Sequence, residues 1–68
     1  MSWSILAAIV AAHLSPSGAS AADLAAARAV AATLAASGDA VALNYITAGA
    51  SDDEFIRSAD RACRIRGM

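Results

Sequence analysis

The chain has 68 residues, a single cysteine, a single histidine and a formal net charge of −1. This length predicts one domain, residues 1–68, with a modest buried core. One cysteine excludes an intramolecular disulfide and a zinc site built on several cysteines. The near-neutral charge provides no overall basic field to attract nucleic acid.

Alanine dominates the apolar fraction, which is 59% of the chain. Because alanine adds helix propensity but little buried area, we expect a thin core. Association with a second copy or with another protein would add the missing buried area. All five basic residues are arginine. This bias, together with the alanine excess, is typical of a GC-rich genome and predicts a bacterial or phage origin.

The first predicted helix, about residues 3–14, is apolar over much of its circumference. Trp3, Leu6, Val10 and His13 recur along it at helical spacing. Such a helix suits either the centre of a core or an interface, and tryptophan is common in both. We name these four residues as candidates for partner binding. Core packing is the alternative for Trp3, and a hydrogen bond at the end of the helix is the alternative for His13.

The same apolar run is also compatible with a signal peptide. Pro16 follows it, and the sequence Ala-Ser-Ala ending at Ala21 resembles a secretory cleavage site. The positively charged segment of a signal peptide is missing, however, and the run is about half of the roughly 20 residues that cross a membrane. We therefore expect a cytoplasmic protein with no membrane span, with export and cleavage near Ala21 as the alternative.

The second predicted helix covers about residues 21–36. Ser20 and Asp23 have the spacing of a capping box at its start. Gly38 follows its last turn and suits the left-handed conformation that ends many helices. Arg28 is the only charged residue inside this helix, and we expect it at the solvent edge.

The third predicted helix covers about residues 39–48. Asp39 is the expected N-cap, and Gly49 is the expected stop. No strand-like alternation appears in the chain. The predicted fold class is therefore all-α, a small bundle of three to four short helices that homodimerisation would complete.

The fourth predicted helix, about residues 52–66, is strongly amphipathic. Ser51 and Glu54 match a capping box at its start. A helical wheel separates an apolar face from a basic one. The apolar face, which we expect to be buried, contains Phe55, Ile56, Ala59, Ala62 and Cys63. The opposite face carries three further candidates for partner binding, Arg57, Arg61 and Arg64.

The segment Ala-Gly-Ala-Ser at residues 48–51 resembles the turn of helix-turn-helix repressors. Gly49 stands at the turn, Ser51 caps the second helix, and Phe55 falls at a buried position of that family. The resemblance implies a small DNA-binding regulator that uses residues 44–66. Tyr45 departs from the pattern, because the family has a small residue there.

Electrostatics at this segment oppose DNA binding. Residues 52–54 place three acids at the turn that faces base edges in the family. The spacing also predicts ion pairs within the helix, which would occupy the arginines. The expected pairs are Asp53 with Arg57, Glu54 with Arg57, and Asp60 with Arg64.

The sequence contains no nucleophile with a matching base, no phosphate-binding glycine loop and no metal-ligand spacing. We therefore expect no enzymatic activity, no cofactor and no metal. The leading hypothesis is a small helical protein that acts by protein–protein interaction. Such a protein would be a regulator, an inhibitor or an adaptor that masks a partner surface. The alternative is the helix-turn-helix-like DNA-binding regulator.

Overall fold

The computed structural model describes residues 2–16 and 18–67, and in these ranges it contains helices and no strand. The helices are α1 (Ser2–Leu14), α2 (Ala21–Ala36), α3 (Ala40–Tyr45) and α4 (Asp52–Ile65). The Cα radius of gyration is 10.5 Å, close to the roughly 11 Å expected of a folded domain of this length. The predicted fold class, a small all-α bundle, is confirmed.

The four helices pack in a ring. α1 contacts α2 and α4, and α3 contacts the same two helices. Alanines on α2 and α4 let the helices approach closely, whereas Leu6, Phe55 and Ile56 are the largest fully buried side chains. The described core consists of Trp3, Leu6, Val10, Ala27, Ala31, Leu34, Ala42, Phe55, Ile56, Ala59, Ala62 and Cys63.

The core contains three of the residues that we named as candidates for partner binding. Trp3, Leu6 and Val10 are only 6%, 0% and 3% exposed. Within this fold they hold α1 against the other helices, and Trp3 and Leu6 offer almost no exposed surface to a partner. None of the described helices is long and apolar enough to cross a bilayer.

Predicted caps at two helix starts are confirmed. The Ser20 hydroxyl accepts a hydrogen bond from the Asp23 backbone N–H at 3.1 Å, and the Ser20 N–H donates to the Asp23 carboxylate at 3.4 Å. The Asp39 carboxylate accepts bonds from the backbone N–H groups of Val41 and Ala42 at 3.0 and 3.1 Å. Between these helices Gly38 has φ +85°, a conformation that favours glycine.

The predicted end of the third helix is wrong. α3 stops at Tyr45, Ile46 is extended with φ −92° and ψ 125°, and Gly49 is not left-handed. The reason is tertiary, because the Thr47 N–H donates to the Ser58 hydroxyl of α4 at 3.0 Å. Residues 46–51 therefore form a linker between α3 and α4.

Candidate functional site

Arg28 anchors the linker between α3 and α4, a role that the sequence did not reveal. Its guanidinium donates to the carbonyl oxygens of Ala48 and Ala50, the latter at 3.0 Å, and to the Asp52 carboxylate at 2.7 Å. It also lies 4.7 Å from the centre of the Phe55 ring. The predicted solvent-edge position was therefore incomplete, since Arg28 is half-buried and joins α2 to the start of α4. The only indication of this role in the sequence is that Arg28 is a lone cation in an alanine-rich helix.

A second polar contact joins α1 to α3. The Trp3 indole N–H donates to the Asp39 carboxylate at 2.9 Å. The Arg66 guanidinium lies 5.6 Å from the centre of the Trp3 ring. The pKa of Asp39 is lowered, first by the Trp3 hydrogen bond and then by the backbone bond to Ala42. Burial opposes this shift, and the backbone bond to Val41 and the Arg66 charge add smaller contributions that lower the pKa. Asp39 is therefore both the N-cap of α3 and the polar anchor of Trp3.

The fourth helix follows its predicted faces closely. All five residues of its apolar face are buried. The predicted ion pair between Asp60 and Arg64 is present at 3.2 Å. The two predicted pairs to Arg57 are not, since no described acid lies within 4.0 Å of its guanidinium. The Ser51 hydroxyl accepts from the Glu54 N–H at 3.4 Å, so one of the two bonds of the predicted capping box is present.

A polar groove lies between the end of α3 and the outer side of α4. Its volume is about 340 Å³. The residues that line it, which we call the α3–α4 groove, are Asn44, Tyr45, Thr47, Glu54, Arg57, Ser58 and Arg61. Arg57 and Arg61 were predicted as exposed candidates, whereas the contributions of Asn44, Tyr45 and Thr47 depend on the linker and were missed.

An apolar groove lies on the other side of α4, against α1. Its volume is about 460 Å³. The residues that line it, which we call the α1–α4 groove, are Ala7, Ala8, Val10, Ala11, Leu14, Asp60, Cys63 and Arg64. The Asp60–Arg64 ion pair forms the polar edge of an otherwise apolar surface. Of the predicted candidates, Val10 and Arg64 meet here, although Val10 contributes only its small exposed part.

The solvent-facing side of α1 continues this apolar surface. Ile5 and Leu14 are 54% and 58% exposed. The exposed residues between them on α1 are Ala8, Ala11 and Ala12, and α1 carries no Asp, Glu, Lys or Arg. Contiguous exposed apolar surface with a polar edge is characteristic of protein-binding sites.

The one histidine and the one cysteine of the chain, His13 and Cys63, are half-buried and buried, respectively. The Nδ1 atom of His13 is buried without a hydrogen-bond partner among the described residues, so it does not make the predicted bond to a helix-end carbonyl. Cys63 is buried, and burial, followed by the nearby Asp60 charge, raises the pKa of its thiol. The described residues contain no group of three or more histidines, cysteines or acids placed to hold a metal ion.

The linker also alters the resemblance to helix-turn-helix repressors. In that family a turn of about three or four residues joins the two helices. Here residues 46–51 separate α3 from α4, and α3 ends before the segment that resembles the turn. Comparison of the chain with models of known protein families, with curated proteins and with solved structures gives no match.

Proposed function

We propose that this protein is a non-enzymatic, cytoplasmic regulator of bacterial or phage origin that acts by binding another protein. As an inhibitor or adaptor it would mask an apolar surface of its partner. The observation that supports this proposal is the charge-free exposed side of α1 together with the α1–α4 groove. Because the core consists largely of small side chains, covering these surfaces with a partner would add buried apolar area.

The shape of the α1–α4 groove favours an apolar helix as its occupant. Ala8 and Ala11 have short side chains, so a helix backbone can approach closely, and Leu14 offers a larger apolar contact. The ion pair of Asp60 and Arg64 remains at the solvent-exposed edge, where it restricts orientation more than it adds affinity. A second copy of this chain can offer the same apolar surface, so homodimerisation uses the site in the same way.

A glutamate placed in this groove tests the proposal. Ala11→Glu introduces a charge that partner binding would desolvate, whereas Ala40→Glu makes the same change at an exposed position outside the groove. We expect native-lysate capture and light scattering to show a partner or a dimer that Ala11→Glu loses and Ala40→Glu retains. A monomer with no reproducible partner, or identical behaviour of the two variants, would contradict the proposal.

The core position of α1 favours the intact chain over the exported one. Cleavage near Ala21 would remove Trp3, Leu6 and Val10 from the core. Intact-mass measurement on native material decides between the two forms, because a mature chain that begins near Ala22 would support export.

The alternative function is DNA binding through residues 44–66. It is favoured by the guanidiniums of Arg57 and Arg61, which pair with no acid in the described part of the chain. The acids at residues 52–54 oppose it. It predicts salt-sensitive retention of a mixed duplex pool that the double variant Arg57→Ala, Arg61→Ala weakens. Absence of retention at low salt would remove this alternative.

A further inference from the structure

The arginines of the chain fall into two classes. Arg28 and Arg64 pair with carboxylates, and Arg66 stacks on an aromatic ring. Arg57 and Arg61 make no hydrogen bond, ion pair or ring contact with any residue in the described part of the chain. The two uncommitted cations line the same α3–α4 groove.

Two cationic donors and one carboxylate line the α3–α4 groove. Arg57 and Arg61 present guanidinium forks, which only donate hydrogen bonds, whereas the Tyr45 hydroxyl can donate or accept. The Asn44 amide nitrogen is bonded to the Ala40 carbonyl at 2.8 Å, which leaves its amide oxygen as an acceptor. Glu54 is the single carboxylate among the lining residues. The two guanidiniums are therefore complementary to an anionic ligand that accepts hydrogen bonds.

The spacing of the two cations defines the ligand further. Arg57 and Arg61 are four residues apart on α4, so their stems are separated by about 6 Å along the helix axis. Two carboxylates one helical turn apart on a partner segment have the same separation, and each can accept a paired hydrogen bond from a guanidinium fork. The opposite side of the groove is fixed, because the Ser58 hydroxyl bonds both the Thr47 N–H and the Phe55 carbonyl.

We propose that the α3–α4 groove is a binding site for an acidic peptide segment of a partner protein, with Arg57 and Arg61 each binding one carboxylate. This site lies on a different side of α4 from the α1–α4 groove and does not depend on it. A peptide suits the groove better than duplex DNA, because the acids at residues 52–54 stand beside it and would repel a continuous phosphate backbone. Glu54 limits the affinity of the site.

The proposal is tested by titrating the full-length protein with a blocked, alanine-based helical peptide that carries glutamate at every fourth position. A peptide with glutamine at those positions is the matched control, and the side-chain N–H resonances of Arg57 and Arg61 report on binding. We expect saturable shifts with the glutamate peptide alone at low salt. The double variant Arg57→Gln, Arg61→Gln should weaken binding by about tenfold or more.

Two further variants separate this site from general electrostatic attraction. Arg66→Gln removes the same charge from an arginine that lines neither groove, and it should change the dissociation constant by less than about twofold. Glu54→Gln removes the opposing carboxylate and should strengthen binding. The proposal is overturned if the glutamate peptide does not bind, if Arg66→Gln is as harmful as the double variant, or if a mixed-sequence DNA duplex binds more tightly than the peptide.

Discussion

Replacement of Arg28 tests whether one side chain holds the linker between α3 and α4. Arg28→Met keeps helix propensity and most of the packing over Phe55 but removes every polar contact. The loss comprises two hydrogen bonds to backbone carbonyls, a largely exposed ion pair with Asp52 and a cation–π contact. With partial exposure taken into account, we expect the free energy of unfolding to fall by about 2–3 kcal/mol.

This loss is large for so short a chain. At about 0.05–0.15 kcal/mol per residue, the whole domain is expected to be stable by only about 3–10 kcal/mol. The corresponding drop in Tm is about 10–20 °C. Urea and thermal unfolding followed by circular dichroism measure both quantities, and amide exchange of residues 46–51 should accelerate selectively because these residues lose their tie to α2.

Control variants identify which Arg28 contact contributes most to the free energy of unfolding. Arg28→Lys retains the charge but cannot reach two carbonyls and a carboxylate at once, so it should recover less than half of the loss. A double-mutant cycle with Asp52→Asn should assign less than about 1 kcal/mol to the ion pair. Arg57→Met changes an arginine that makes no hydrogen bond, ion pair or ring contact with any described residue, and it should stay within about 0.5 kcal/mol of wild type. Equal destabilisation by Arg28→Met and Arg57→Met would refute the anchoring role.

Three further outcomes follow from the fold. Because the folded-state pKa of Asp39 is lowered, ionised Asp39 stabilises the fold above about pH 4, and this contribution is lost as pH falls through the lowered pKa. Trp3→Phe should raise the pKa of Asp39 in a carboxyl NMR titration. An unchanged pKa would contradict the role of the Trp3 hydrogen bond. The raised pKa of Cys63 keeps its thiol protonated, so a disulfide reagent at pH 8 should react far more slowly with the folded chain than with the chain unfolded in urea. Equal reaction rates would place the thiol at the surface. Gly38→Ala should cost about 1 kcal/mol in chemical denaturation because Gly38 is left-handed, whereas Gly49→Ala should be neutral or stabilising; similar losses would contradict the backbone assignment.

Local patterns predicted the parts of the fold that depend on neighbours in sequence. The period of α4 identified its buried face, and the capping spacing identified the starts of α2 and α3. The end of α3 was mispredicted because a glycine stop is a local signal, whereas the hydrogen bond from Thr47 to Ser58 is tertiary. Pattern recognition showed that α1 was apolar, but it could not show which side faced the core.

The candidate sites show the same difference between features set by local sequence and features set by tertiary contacts. Arg57, Arg61 and Arg64 were recognised as a basic face from their spacing alone. Only side-chain geometry shows that Arg64 is paired, whereas Arg57 and Arg61 have no ion-pair partner among residues 2–16 and 18–67. Arg28 was misjudged because its partners lie 20 to 24 residues away, beyond the range of any helical periodicity.

The double role of Asp39 has a consequence for how the chain folds. Its bond to the Trp3 indole spans 36 residues and so closes more than half of the chain into a loop. α3 has only six residues, too few to persist as an isolated helix in water. Docking of α1 and formation of α3 are therefore expected to be a single cooperative event. In kinetic experiments, the ordering of Ala42 and the burial of the Trp3 indole should therefore have the same rate constant.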